Sequence, residues 1–193
     1  MNHRDICALR ILEEIQENAT STQRELAGKL NISLGLVNSF IKHLGRKGYL
    51  KITTIPKNRL RYVLTPTGFA EKTRLTYGFI QYSFDFYRTA RKRAKMALRS
   101  LEDEGVRNVV FYGAGDFAEI SYISLKETNL KMVAIVDDFR SGEKFLGHTI
   151  GHPSGLNSLD YDKIIVRSID SKDAIYENLQ KLNIPRTKIF MFE

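Results

Sequence analysis

Cysteine is almost missing from this chain of 193 residues. Cys7 stands alone, so an intrachain disulfide is excluded, and its place on the apolar side of a first helix predicts a buried structural thiol. No apolar run approaches the ~20 residues that a membrane-crossing helix needs. The N-terminus has acidic residues early and no cleavable signal pattern, so a cytoplasmic protein without a membrane partner is expected. Metal ligands are sparse: His148 and His152 lie in a Gly-rich loop with no third ligand suggested, and no metal site is expected there. Acidic charge is scarce in the first half. Residues 1–100 carry 19 Lys/Arg against 7 Asp/Glu, a net +12, whereas residues 101–193 carry 11 against 15, a net −4. The halves therefore have different partners, and only the first has the electrostatic footprint of a nucleic-acid binder.

What the first half does contain is a helix followed by a basic hairpin. Asn31-Ile32-Ser33 forms a short polar turn, and Ser33 is a good N-cap for the helix after it. Leu36, Val37, Phe40, Ile41 and Leu44 recur on one helical face, while Gly35, Asn38, Ser39 and Lys42 fall on the other. Gly48 ends the helix. A strand at Tyr49–Ile55, a turn at Pro56-Lys57-Asn58-Arg59 and a return strand at Leu60–Thr65 complete a hairpin tipped with Lys57, Arg59 and Arg61. Upstream, Thr22 and Glu25 form a capping box, and Ile6, Leu9, Leu12 and Ile15 mark a first helix. A small polar helix face approaches base edges, and basic hairpin side chains reach phosphates. This order predicts a winged helix-turn-helix over residues 1–74. The expected contacts to double-stranded DNA are Ser33, Gly35, Asn38, Ser39, Lys42, Lys57, Arg59 and Arg61.

Turn chemistry is scarce between Pro66 and Glu104, where only Gly68 and Gly78 interrupt. One or two long helices are expected, with residues 75–104 as linker and dimerisation helix. Tyr77, Phe79, Tyr82, Phe84, Phe86 and Tyr87 crowd this stretch, and a homodimer is the simplest source of a partner helix to bury them. The basic run at Arg88, Arg91, Lys92, Arg93 and Lys95 reads first as a solvated helix face.

From Val106 the pattern turns to β-α-β. Val106–Tyr112 reads as a buried strand, Gly113-Ala114-Gly115 as a tight turn, Asp116–Thr128 as a helix, and Lys131–Val136 as a second strand ending in Asp137-Asp138. Glycines there let backbone amides approach a phosphate at a helix N-terminus, and an acid after the second strand accepts ribose hydroxyls. The expected cofactor-binding residues are Gly113, Gly115, Asp116, Ala118, Asp137 and Asp138. Further strands at Lys163–Val166 and Lys188–Phe192, with a helix at Ser171–Leu182, complete a Rossmann-like parallel sheet over residues 105–193. Tyr122 and Lys126 match the Tyr-x-x-x-Lys pair of short-chain dehydrogenases but come too early in the fold for that role.

The words S-L-G-L-V-N at 33–38, K-G-Y-L-K at 47–51 and L-T-P-T-G-F-A-E-K at 64–72 resemble the MarR-family regulators associated with exopolysaccharide gene clusters. The second half, with FYGAGDFAEI, VAIVDDF and GHTIG, is similar to small Rossmann-like domains of bacterial sugar-modifying enzymes, and more loosely to the Rex-type redox repressors. These resemblances imply a regulator of polysaccharide or cell-surface sugar genes, with a nucleotide-type effector such as a nucleotide sugar or NAD(H). The expected fold class is α/β overall, and no catalytic residue is expected. Two rivals stand beside it: a nucleotide-sugar-acting enzyme with a winged-helix docking module, and a Rex-like NAD(H) redox repressor.

Overall fold

In the computed structural model, residues 1–56, 59–166 and 172–191 are described. Contacts divide the chain into two units, Met1–Asp85 and Phe86–Glu193.

The first unit begins with α1 (His3–Glu17), α2 (Gln23–Leu30) and α3 (Leu34–Arg46). Each start is capped by a side chain suited to the task. The amide of Asp5 donates to Asn2 at 2.8 Å, and that of Leu36 donates to Ser33 at 3.2 Å. At α2 the expected capping box forms: the Glu25 amide donates to the Thr22 hydroxyl, and the Thr22 amide to the Glu25 carboxylate. The turn between α2 and α3 depends on Asn31, which adopts φ +52, a left-handed conformation that asparagine tolerates better than most residues. The antiparallel strands β1 (Leu50–Ile55) and β2 (Arg59–Leu64) follow. One core joins all these elements, with Ile11, Leu12, Leu26, Val37, Ile41 and Tyr62 almost fully buried, and Cys7 within it.

The helix α4 is a single element, Pro66–Asp103, that starts well before residue 75. Its start has a local cause. Thr65 accepts the Gly68 amide, its hydroxyl donates to the carbonyl of Gly48 at 2.6 Å, and Pro66 sits in the first turn, where its missing N–H costs nothing. Gly68 is required here, because a Cβ would lie 2.0 Å from the carbonyl oxygen of Tyr49. The Thr-Pro-x-Gly word is thus the joint that seats α4 against the root of the hairpin.

In the second unit the last turns of α4 are followed by β3 (Asn108–Tyr112), α5 (Asp116–Leu125), β4 (Lys131–Val136), β5 (Lys144–Phe145), β6 (His148–Thr149), β7 (Lys163–Val166), α6 (Lys172–Lys181) and β8 (Ile189–Met191). Four strands form a parallel sheet in the order β4-β3-β7-β8. The run VVFY of β3 is buried on both faces, as a central parallel strand must be. Val109 and Phe111 pack with Leu98 and Leu101 of α4 and with Ala118 and Leu125 of α5. Val110 and Tyr112 face the opposite way, toward Ile175 and Leu179 of α6. The small antiparallel pair β5–β6 was not expected from the sequence, since two-residue strands carry no periodicity. The helix after the glycine turn ends at Leu125 rather than Thr128, because the amides of Glu127 and Thr128 close tighter turns onto Ser124 and Leu125.

Candidate nucleic-acid interface and glycine-turn site

Helix α3 buries Val37, Phe40, Ile41 and Leu44 and exposes Gly35, Ser39 and Lys42, with Asn38 half-buried at the rim. This agrees with the face expected from spacing, with one correction. Leu36, assigned by its spacing to the buried side, is 37% exposed, and Leu34 beside it is 45% exposed. Both sit in the first turn, at the flanks of the polar face. Gly35 meets nothing within 4 Å of a built Cβ, so nothing inside the chain requires a glycine there. Arg46 and Lys47 are exposed at the far end of the same helix. Arg46 is one helical turn beyond Lys42, a spacing that would have revealed it.

On the hairpin, Arg61 pairs across to Thr53, and Lys51 pairs across to Val63; Lys51, Arg61 and Val63 are exposed. Lys57 and the side chain of Arg59 lie outside the described residues. Ser33 is exposed, but its hydroxyl is committed to the amide of Leu36, so it acts at least as the cap of α3. Of the basic run on α4, Arg91 and Lys95 both pair with Glu127. Lys95 first, and then Arg91, hold the Glu127 carboxyl below the usual range. These two cations therefore brace their own unit.

In the second unit the glycine turn follows the C-terminal end of β3. Gly113 adopts φ +99, which favours glycine, and its amide donates to Val136 at 2.8 Å. Gly115 is the N-cap of α5 with no side-chain cap, and a built Cβ there meets nothing within 4 Å. Ala118 is fully buried against the sheet, as its small size anticipated. Asp137 accepts the Ala114 amide at 2.9 Å through one carboxylate oxygen and the Phe139 amide at 3.0 Å through the other. Asp138 accepts the Tyr112 hydroxyl at 3.0 Å and the Asn178 side-chain amide at 3.2 Å. Burial, with the bond to Asp138, pushes the Tyr112 phenol well above its ordinary value, so it stays a donor.

The two carboxylates hold the turn and the sheet end in place, which spacing alone did not reveal. Each still has lone pairs for another donor. Asp116 lies in the first turn of α5, beside the site. Two further residues at this edge were missed: Phe139, 93% exposed, and Arg140, whose guanidinium donates to the Ala114 carbonyl and pairs with Glu143. A tight loop after a strand gives no periodic signal that would single them out. Among the described residues no group of three or more His, Cys, Asp and Glu is placed to hold a metal ion. No helix among them is long and apolar enough to cross a membrane.

The geometry defines a winged helix-turn-helix unit followed by a parallel-sheet α/β unit. Comparison with known proteins agrees with the first: residues 4–51 match the family described as winged helix-turn-helix DNA-binding. Residues 105–190 match the family described as C2185-like, N-terminal. Among solved structures the chain is similar to the PcaV transcriptional regulator from Streptomyces coelicolor in complex with its natural ligand, at 19% identity and TM-score 0.40, over 42% of this chain and 60% of that one. It is also similar to PigF with SAH, at 13% identity and TM-score 0.31, over 84% of this chain and 61% of that one. The chain thus spans about three fifths of each structure's length, and likenesses this distant carry no functional weight. No curated protein matches the chain.

Proposed function

We propose that the protein is a DNA-binding transcriptional regulator that works as a homodimer and whose second unit senses a nucleotide-type metabolite. The observation that carries the DNA reading is the exposed face of α3. A helix that presents Gly35, Ser39 and Lys42 outward, in a unit matched as winged helix-turn-helix, is shaped for a groove rather than for a protein core. Genes for polysaccharide and cell-surface sugars are the proposed targets, on the sequence resemblance alone.

The dimer reading is supported by α4. Tyr77, Ile80 and Phe84 form one stripe at helical spacing, and Phe79, Tyr82 and Phe86 form a second; all six are at least 39% exposed. Two apolar stripes on one helix call for more cover than a single chain gives. The effector reading is supported by the turn at 113–115, where Gly115 opens onto space beside the carboxylates of Asp116 and Asp137. Asp116, Asp137 and Asp138 would repel a bare phosphate but accept hydroxyl donors, so a sugar- or ribose-bearing ligand, a nucleotide sugar or NAD(H), suits the site better than inorganic phosphate.

The test uses the full chain. Duplexes enriched from a random pool are titrated with and without UDP-sugars, GDP-sugars, NAD and NADH, and the oligomeric state is read by analytical ultracentrifugation. A nucleotide that shifts the DNA curve must itself bind more tightly or more weakly by the same factor when DNA is present. A monomer at micromolar concentration would end the dimer reading. If no nucleotide moves either the melting temperature or the DNA curve, the sensor reading fails.

A further inference from the structure

We propose that the first turn of α3 reads thymine methyl groups, with Leu34 and Leu36 as specificity-determining residues. This rests on the DNA-binding reading above and names what kind of sequence that helix prefers. Leucines are usually inside, yet these two stand 45% and 37% exposed on either side of Gly35, in the turn that Ser33 caps. A Cβ at Gly35 would meet only open space, so the backbone between the two leucines is free to come close to a partner.

The chemistry around them is selective. Residues 34–40 contain no Lys or Arg, so this part of the helix has no side chain for the bidentate contact that reads guanine. It offers instead Asn38, half-buried at the rim, and Ser39, exposed. In the major groove thymine alone presents a C5-methyl group, and its partner adenine presents the donor and acceptor pair that an asparagine amide matches. Apolar side chains on both flanks, with the Asn38 amide one helical turn beyond Leu34, fit a T·A pair and leave a G·C pair poorly satisfied. Charge supports the same occupant: Lys42 and Arg46 follow on α3 with Lys47 as its C-cap, and Lys51 and Arg61 stand exposed on the hairpin. Phosphates thus meet cations while the first turn meets bases.

Sites are selected by the full-length protein from a random duplex pool, and each thymine of the selected site is then replaced singly by deoxyuridine. That exchange removes the methyl group and leaves pairing and phosphates intact. Wild-type protein is expected to lose roughly three- to tenfold in affinity at one or two positions in each half-site. Leu34→Ala or Leu36→Ala is expected to bind the thymine site more weakly, and to lose that sensitivity with an unchanged salt dependence. The inference is overturned if sites are selected but no deoxyuridine exchange weakens the wild-type protein, or if both leucine variants keep the full sensitivity. DNA binding itself would then stand. If the pool yields no enriched site, the reading of α3 as a DNA-reading helix fails with it. The deoxyuridine arm needs only wild-type protein, so a variant that misfolds does not block the test.

Discussion

The two units each present a glycine whose missing side chain opens onto empty space, Gly35 on α3 and Gly115 at the head of α5. Their surroundings are opposite in sign. Lys42 and Arg46 share α3 with the first and Lys47 is its C-cap, whereas Asp116 and Glu119 lie in the first turn that follows the second, with Asp137 bonded to its neighbour Ala114. Gly68 provides the control, since a Cβ there would collide with the backbone at 2.0 Å. A glycine that the fold requires is recognised by what its Cβ would hit, as at Gly68, or by a left-handed φ, as at Gly113. At Gly35 and Gly115 the fold leaves the space of a Cβ open, and the charges around each suit the partners proposed above: a polyanion for α3, a hydroxyl-bearing ligand for α5.

The strongest way to break the contrast is to reverse the sign on α3. Lys42→Glu with Arg46→Glu should lower DNA affinity by about a hundredfold or more, and should shallow the salt dependence by about two contacts' worth. Fluorescence anisotropy across a salt series reads both, and unchanged affinity would remove α3 from the interface. At the other site, Gly115→Val places a branched side chain in the approach to the turn. Nucleotide-induced stabilisation in a thermal-shift assay should disappear, while the DNA titration without ligand stays at the wild-type value.

A third experiment separates bracing from binding among the carboxylates. Asp162 accepts the amides of Arg107 and Asn108, each at 2.8 Å, at the start of β3, and Asp137 accepts the Ala114 amide beyond its end. Asp162→Ala should cost about 0.5–1.5 kcal/mol, since the two amides it frees are exposed and water can replace their acceptor, measured by urea unfolding, with no effect on ligand. Asp137→Ala should cost a similar amount and weaken the ligand as well. The Asn108 and Arg107 amides hold the Asp162 carboxyl below its ordinary value. Its stabilisation is therefore fully present above the usual carboxylate range and is lost as pH falls through the lowered value. The stability gap between wild type and Asp162→Ala should narrow in acid. A gap that widened would contradict the assignment.

The smallest effect is the most pointed one. Gly35→Ala should raise the melting temperature slightly, since alanine is favoured over glycine in a helix by roughly 0.5–1 kcal/mol, yet it should weaken DNA binding. Opposite signs from one methyl group would mark a glycine kept for its partner. A variant improved in both would show that Gly35 has no such role.

Much of this architecture was legible in the residues because its signals are local. The capping box at Thr22 and Glu25, the cap at Ser33 and the β-α-β run from β3 to β4 each follow from short spacings. What escaped depends on neighbours distant in sequence. Helical periodicity put Leu36 on the buried side, but in the first turn of α3 it stands at the edge of that face and is 37% exposed. The acid after β4 was foreseen at Asp137, yet its bond to Ala114 exists only once two strand ends lie side by side. Gly68 read as a helix interruption because its contact with Tyr49 is made across the hairpin. Lys57 and Asn58 at the hairpin tip lie outside the described residues, so the phosphate contact expected there rests on sequence.

The buried thiol of Cys7, 6% exposed, has a practical consequence. Because it is the only sulfhydryl in the chain, a cysteine introduced at an exposed polar site of α4 such as Ser83 or Thr89, which leaves both apolar stripes intact, would be the one reactive handle for a spin label or fluorophore. Pulsed dipolar spectroscopy on such singly labelled protein gives one distance per pair of copies. Measured free, on DNA and with a nucleotide added, that distance would report directly whether two α4 helices meet and whether an effector separates them.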